Sequence, residues 1–274
     1  MASKTANTYK DYFEQWLSGI PSEIRFWDKL METKGACLGE DAEKMFALRC
    51  SFDAPFALEN ELEGKDTAFL DIGSGPFSNC GVKTSKSKLA ITAIDPLASA
   101  YRLLKEKHGI SAPIAPQTGI VEMVDELFEE NSFDIVHMSN SLDHCFDPIL
   151  GIRKMLYVTK IGGKIILRHN ENEAESTHYT GLHQWNVHLS ESGRFLLWRP
   201  DATIDVQEAL GDCIALEEAR MADTKEPENV WRHNYFVLRK IKPIPRQEAL
   251  NGILIKRLLE QVVKLHYSEC GSVV

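Results

Sequence analysis

From residue 66 to residue 170 short apolar runs alternate with helical stretches, and this alternation limits the fold more than any other feature of the chain. "TAFLDIG", "SKLAITAIDP", "APIAPQTG", "SFDIVHMSNS" and "KIILRH" read as five strands. "SAYRLLKEKHG", ending at Gly109, "IVEMVDELFEEN" and "PILGIRKMLYVTKIGG", closed by a glycine pair, read as the helices between them. Strand–helix–strand order at this spacing builds βαβ units. Their right-handed crossovers lay the strands side by side as a parallel sheet with helices on both faces. The predicted class is α/β.

The flanking segments depart from that rhythm. "HQWNVHLSESGRFLLWRP" predicts a hairpin turning at "SESG", and "DATIDVQEAL" predicts a helix after it. "DCIALEEAR" and "NYFVLRKI" predict an antiparallel pair that closes the sheet. Ahead of the sheet, Tyr12, Phe13, Trp16 and Leu17 recur at helical spacing. "SGIPSE" interrupts that helix, and Ser22 then caps a second one bearing Ile24, Trp27 and Leu30. A last amphipathic stretch presents Leu250, Ile253, Leu254, Leu258, Val262 and Leu265 on one side. Packing back on the domain, a homodimer contact and a lead into a further domain all remain open for it. The expected division is an N-terminal helical cap over 1–60, a central domain over 61–242 with a hairpin inserted near 177–200, and a C-terminal helix over 243–274.

Composition narrows the partners. The chain is 274 residues long and 43% hydrophobic, enough to bury a sizeable core. Its formal net charge of -9 repels phosphate backbones, so nucleic acid is not expected as a partner. The six cysteines form no CxxC pair and read as reduced thiols. No apolar window approaches the length of a membrane span, and "MASKTANTYKDYFEQW" lacks a signal-peptide core, so a cytoplasmic location is expected.

The turn after the first strand, "FLDIGSGPFSN", brings backbone close to a ligand at a strand's carboxyl end. It has no GxxxxGK[ST] pattern and is not a P-loop. Gly73 and Gly75 supply two glycines of a dinucleotide fingerprint, but Ser78 stands third, with Pro76 and Phe77 crowding the turn. Asp95 follows Asp71 at the separation one βαβ step requires, where an acid meets a ribose. By these residues alone an NAD-dependent oxidoreductase or epimerase with an irregular fingerprint stays open.

Several motifs in order resemble the class I, Rossmann-like methyltransferases that use S-adenosylmethionine (SAM). "FLDIGSGP" resembles their first motif and "ITAIDP" their second. "QTGIVEMVDELFEENSFDIV" resembles the stretch before the fourth strand, and "SFDIVHMSNSLDHCFDP" the stretch that carries an acid–His pair and a D-P after it. "LYVTKIGGKIIL" resembles the helix end before the fifth strand. The resemblance covers roughly residues 66–170 and loosely continues to about 240. It implies a doubly wound, mostly parallel seven-stranded sheet with an antiparallel last strand. It implies SAM as cofactor, with S-adenosylhomocysteine (SAH) as product, and a small-molecule acceptor. A non-catalytic scaffold with the same fold is the remaining alternative.

Residue by residue, the resemblance places Asp71, Gly73, Ser74, Gly75 and Pro76 at the amino-acid half of SAM and Asp95 with Pro96 at the ribose. Gly119 and Ile120 would flank the adenine, and Asn140 and Ser141 would line the methionine. A base for an oxygen acceptor is open between His144 and the segment "RHNENEAESTHYTGLHQWNVH", which holds His169, Glu171, Glu173, Glu175, His178, His183 and His188. No HExxH spacing supports a metal there. That segment resembles, more loosely, bacterial methyltransferases of surface-glycan and capsule biosynthesis. This implies that Asn170, Glu171, Glu175, His183, Gln184 and Trp185 face the acceptor. The acceptor would be a glycan precursor, a nucleotide-linked sugar or a phosphorylated intermediate. Arg168, Arg194, Arg199 and Arg232 are candidates to hold a phosphate or carboxylate on it.

Overall fold

The structure is a computed structural model that describes residues 4–223, 232–246, 260, 263 and 264. Strands β1 (Thr67–Ile72), β2 (Leu89–Asp95), β3 (Gln117–Thr118), β4 (Phe133–Ser139) and β5 (Thr159–Asn170) pair in parallel, as the alternation predicts. Strands β9 (Ile214–Asp223) and β10 (Arg232–Lys240) complete a seven-stranded sheet in the order β3-β2-β1-β4-β5-β10-β9. β10 runs antiparallel to both of its neighbours, β5 and β9.

Both faces of the sheet are covered, which is why its strands are nearly continuous apolar runs. Leu70, Val136, Ile165 and Phe236 point to one face, against helix α4 (Pro148–Val158) and the inserted hairpin. Phe69, Ile135, Ile166 and Val237 point to the other, against Phe56, Leu62 and Cys80. Adjacent residues of one strand thus serve opposite cores, as a period of two requires.

The hairpin is confirmed as β6 (Asn186–Leu189) against β7 (Phe195–Arg199), but a third strand joins it. Residues predicted to open a helix form β8 (Ala202–Asp205), and a short helix (Val206–Leu210) follows, with the Asp205 carboxylate capping Glu208 N at 3.0 Å. Two other expectations change. Residues Val121–Glu126 form a 3₁₀ helix rather than an α-helix. The glycine pair does not close α4: the helix ends at Val158, and Gly162 and Gly163 lie within β5, where pairing with β4 shifts register.

The N-terminal prediction of two helices is also corrected. Lys4–Thr33 is one helix, α1, with Pro21 inside it. Ser22 does not cap; its hydroxyl donates to Gly19 O at 2.6 Å, a bond back into the same helix. Trp16, Ile20 and Ile24 form one unbroken buried stripe across the proline. That stripe packs with Phe77, Leu104, Ile120 and Phe146, so tertiary burial holds the helix through a residue that removes a backbone donor. Helix α2 (Glu40–Arg49) follows and adds Phe46 to the same cluster. Helix α3 (Ala98–His108) ends at Gly109, as predicted. The expected C-terminal helix lies outside the described residues except for 243–246, 260, 263 and 264. Of these, Ile244 and Val263 are buried.

Candidate functional site

A cavity of about 520 Å³ opens at the carboxyl ends of β1, β2 and β4, within the range of small-ligand pockets. This is where the strand order reverses, since β1 is followed in sequence by β2 on one side and pairs with β4 on the other. α1 and α2 roof it with Trp16, Glu23, Trp27, Phe46 and Arg49.

The glycine turn forms its floor. Gly73 and Gly75 have φ of 62° and 63°, the left-handed region that favours glycine. A Cβ on Gly73 would lie 2.3 Å from Ser141 Oγ, and one on Gly75 would lie 3.0 Å from the Trp27 ring. Ser141 Oγ is itself buried without a hydrogen-bond partner on the cavity wall. Asp95 ties the turn to β2: its Oδ2 accepts from Gly75 N at 3.0 Å and its Oδ1 from Leu97 N at 2.8 Å. Burial outweighs these bonds and pushes the Asp95 carboxyl up to about 7.

After β4 three groups converge. Asp143 is buried, and its Oδ2 lies 2.6 Å from His183 Nδ1 and 3.5 Å from His144 Nε2. The two imidazoles meet at 3.2 Å. Neighbouring histidine charge and the His183 hydrogen bond together overcome burial and hold Asp143 down at about 2, so it stays ionised. An ionised carboxylate only accepts, so His183 Nδ1 is the donor and its Nε2 is left as the basic nitrogen. Burial lowers the His183 pKa, but the Asp143 hydrogen bond and charge exceed that effect, and the net shift is upward. His144 and His183 both line the cavity.

Of the residues singled out by sequence, the cavity brings together Gly73, Ser74, Gly75, Asp95, Pro96, Gly119, Ile120, Asn140, Ser141, His144 and His183. The others lie off its wall. Asp71 turns to the opposite sheet face, where its Oδ1 meets His137 Nδ1 at 2.8 Å, and Pro76 is buried beneath the turn. His169 is buried with both ring nitrogens unpartnered, and burial drives its pKa down to about 3. Glu171 is taken by His188 and Asn234. Asn170 donates from its backbone to Asn140 Oδ1 at 3.1 Å, and Glu175 is exposed. Gln184 is fully buried. Trp185 packs its ring edge against Tyr12 at 5.7 Å. Neither lines this cavity: Trp185 belongs to the hairpin core, and Gln184 is buried with its side-chain amide unpartnered.

Three acidic or basic groups on the wall, Glu23, Glu122 and Arg49, were not among the sequence candidates. Glu122 is buried, its Oε1 accepts from Phe146 N at 3.0 Å and Asp147 N at 3.2 Å, and burial pushes it up to about 8. A lone acid inside the apolar run "GIVEMV" was the available signal. Glu173 also lines the cavity with Oε2 buried and unpartnered, and burial raises its pKa. Arg49 comes from α2, far from any motif.

A family profile described as a methyltransferase domain matches residues 70–167. Residues 70–167 are a SAM-dependent methyltransferase domain. SAM is the methyl donor of the enzyme. No curated protein matches the sequence. Solved structures similar to this methyltransferase include the YcgJ protein of Bacillus subtilis, at 13% identity and a TM-score of 0.47, covering 68% of this chain and 97% of that one. A SAM-dependent methyltransferase of Methanosarcina mazei is 17% identical with a TM-score of 0.42, covering 67% and 96%. One from Aquifex aeolicus is 14% identical with a TM-score of 0.41, covering 79% and 97%.

The cavity fits SAM on its own terms. Two glycines leave a cradle that side chains would fill, Ser141 offers an unclaimed hydroxyl beside it, and each Asp95 oxygen keeps a lone pair beyond its backbone bond. No described helix is long and apolar enough to cross a membrane.

Proposed function

We propose that the methyltransferase is an O-methyltransferase acting on a small polar acceptor, a hydroxyl or phosphate-type oxygen on a glycan or capsule precursor. The observation that carries the oxygen assignment is His183 on the cavity wall, paired with the buried Asp143 and with His144 beside it. A hydroxyl must lose its proton as it attacks, and an imidazole oriented by a buried carboxylate is suited to take it. The acceptor class rests on the resemblance of the 169–188 segment.

In this reading the glycine turn of Gly73, Ser74 and Gly75, with Asn140 and Ser141, holds the amino-acid half of SAM. Asp95 holds the ribose beside Pro96, and Gly119 and Ile120 hold the adenine. SAM, when bound, supplies a methyl group on a sulfonium, already activated for in-line displacement. The protein contributes alignment, exclusion of water under α1 and α2, and proton removal. His183 Nε2 takes the acceptor proton, and Asp143 holds the ring in the required tautomer and stabilises the imidazolium.

The test is incubation with SAM and a panel of sugars, nucleotide-linked sugars and phosphorylated intermediates, read by mass spectrometry. An O-methylated product that His183→Gln reduces by about 10²–10⁴ is expected. A product methylated on nitrogen, carbon or sulfur would overturn the reading.

A further inference from the structure

Arg49, the last residue of α2, lies on the cavity wall with its Nε buried and without a hydrogen-bond partner. No described carboxylate forms an ion pair with it. Burial first, and then the Arg168 charge, lower its pKa from the ordinary arginine value. Arg168, exposed and off the cavity wall, stands near the end of β5, where its carbonyl accepts from Asn140 N at 2.8 Å, next to cavity residues Ser139 and Asn140. It too has no ion pair among the described residues. Asp71, whose charge favours the Arg49 cation, bonds His137 through Oδ1 and leaves Oδ2 unpartnered.

Two other arginines considered from sequence are engaged elsewhere. Arg194 pairs with Asp205 at 2.5 Å, Arg199 pairs with Asp201 at 2.8 Å, and neither lines the cavity. A guanidinium on a cavity wall with a buried, unpartnered Nε is costly, and the nearby Arg168 charge adds repulsion. A fork of N–H donors in that position matches a carboxylate or phosphate.

We propose that Arg49, supported by Arg168, is an oxyanion subsite of this cavity that binds a carboxylate or phosphate. The oxyanion comes from one of two sources: the carboxylate of the amino-acid half of SAM, or an anionic group on the acceptor. The proposal rests on reading the cavity as the SAM and acceptor site, and its test reads binding rather than products. Failure of the O-methylation reading would alter the product assay and leave these binding results untouched.

The experiment is calorimetry on the full chain and on Arg49→Gln, with SAH, with 5′-methylthioadenosine, and with inorganic phosphate in the presence of saturating SAH. 5′-Methylthioadenosine keeps the adenosine and thioether of SAH but has no carboxylate. Loss of a charge-assisted bidentate contact should cost about ten- to hundred-fold in affinity. If R49Q loses that much for SAH and none for 5′-methylthioadenosine, the subsite holds the methionine carboxylate. If SAH affinity is kept and phosphate binding is lost, the subsite serves the acceptor. Wild-type affinity of R49Q for both SAH and phosphate would overturn the proposal. Arg49→Lys, which keeps the charge but not the fork, is the second variant should R49Q fail to fold. An unchanged SAH and phosphate affinity in R49K would then count against a bidentate subsite.

Discussion

Two buried carboxyl groups at this site, Glu122 on the cavity wall and Asp143 behind its histidines, shift in opposite directions, and that separates their roles. Asp143 is held at about 2 by its histidines, and Glu122 is pushed to about 8 by burial. As the proposed base, His183 would act only when neutral, and its pKa is raised by Asp143. Activity should therefore climb with pH through a value above the ordinary histidine range. Asp143→Asn should move that rising limb to lower pH and cut kcat/KM by about 10²–10⁴, measured as a pH–rate profile. An unmoved limb would exclude His183 as the base. For Glu122 the sign concerns stability. Its folded pKa lies above its unfolded one, so between roughly pH 4.3 and 8 the unfolded chain gives up the proton first. Stability then falls as pH rises, by at most about 1.4 kcal/mol per pH unit inside that window. Asp95, raised to about 7, adds a slope of the same sign over its own window. Glu122→Gln should flatten the dependence between pH 5 and 8 in urea unfolding, leaving the Asp95 part.

At the scale of elements, the glycine turn and the docking of α1 are set by close approach. Gly73 and Gly109 share nearly the same positive φ, but a Cβ on Gly73 would strike Ser141 while one on Gly109 would meet open space. Gly109→Ala should cost about 1–2 kcal/mol of stability with SAH affinity unchanged. Gly73→Ala should add a loss of at least about ten-fold in SAH affinity, because the cradle itself must shift; calorimetry and melting curves together separate the two. Gly19 sits where α1 crosses the loop before β6, and a Cβ there would lie 2.5 Å from the Gly181 carbonyl oxygen. Gly19→Ala should push the helix off and destabilise by about 1–3 kcal/mol, read as a lowered Tm. The strand order was legible in the sequence because each strand carries its own apolar run and turn signals. The single helix α1 was not, because proline is a local stop signal and the stripe that overrides it is buried only by distant residues such as Phe77 and Phe146.

In the whole molecule, the N-terminal helices close the cavity that the sheet opens. Trp27 packs edge-on against Phe77 and Tyr101, at 6.4 and 5.9 Å, and lies over Gly75. A ligand that binds only the folded chain stabilises it by about 2.7 kcal/mol at a hundred times its Kd. Saturating SAH should therefore raise the wild-type Tm by several degrees. Asp95→Ala should lose most of that rise, and an equal rise in the variant would remove Asp95 from the ribose role.

By itself the sequence determined the parallel sheet, the glycine turn, the acid at the end of β2 and the acid–His pair after β4. Each of these is carried by neighbouring residues or by one βαβ spacing, and local propensity and pattern decide such features. Only the tertiary structure decided which side chains meet. It set His183 against Asp143 and His144 across 40 and 39 positions, and it brought Arg49 from α2 to the cavity wall. It also moved His169, Gln184 and Trp185 into the interior, although their segment reads as holding the base and facing the acceptor. Burial depends on what the rest of the chain packs against, and no local stretch encodes that.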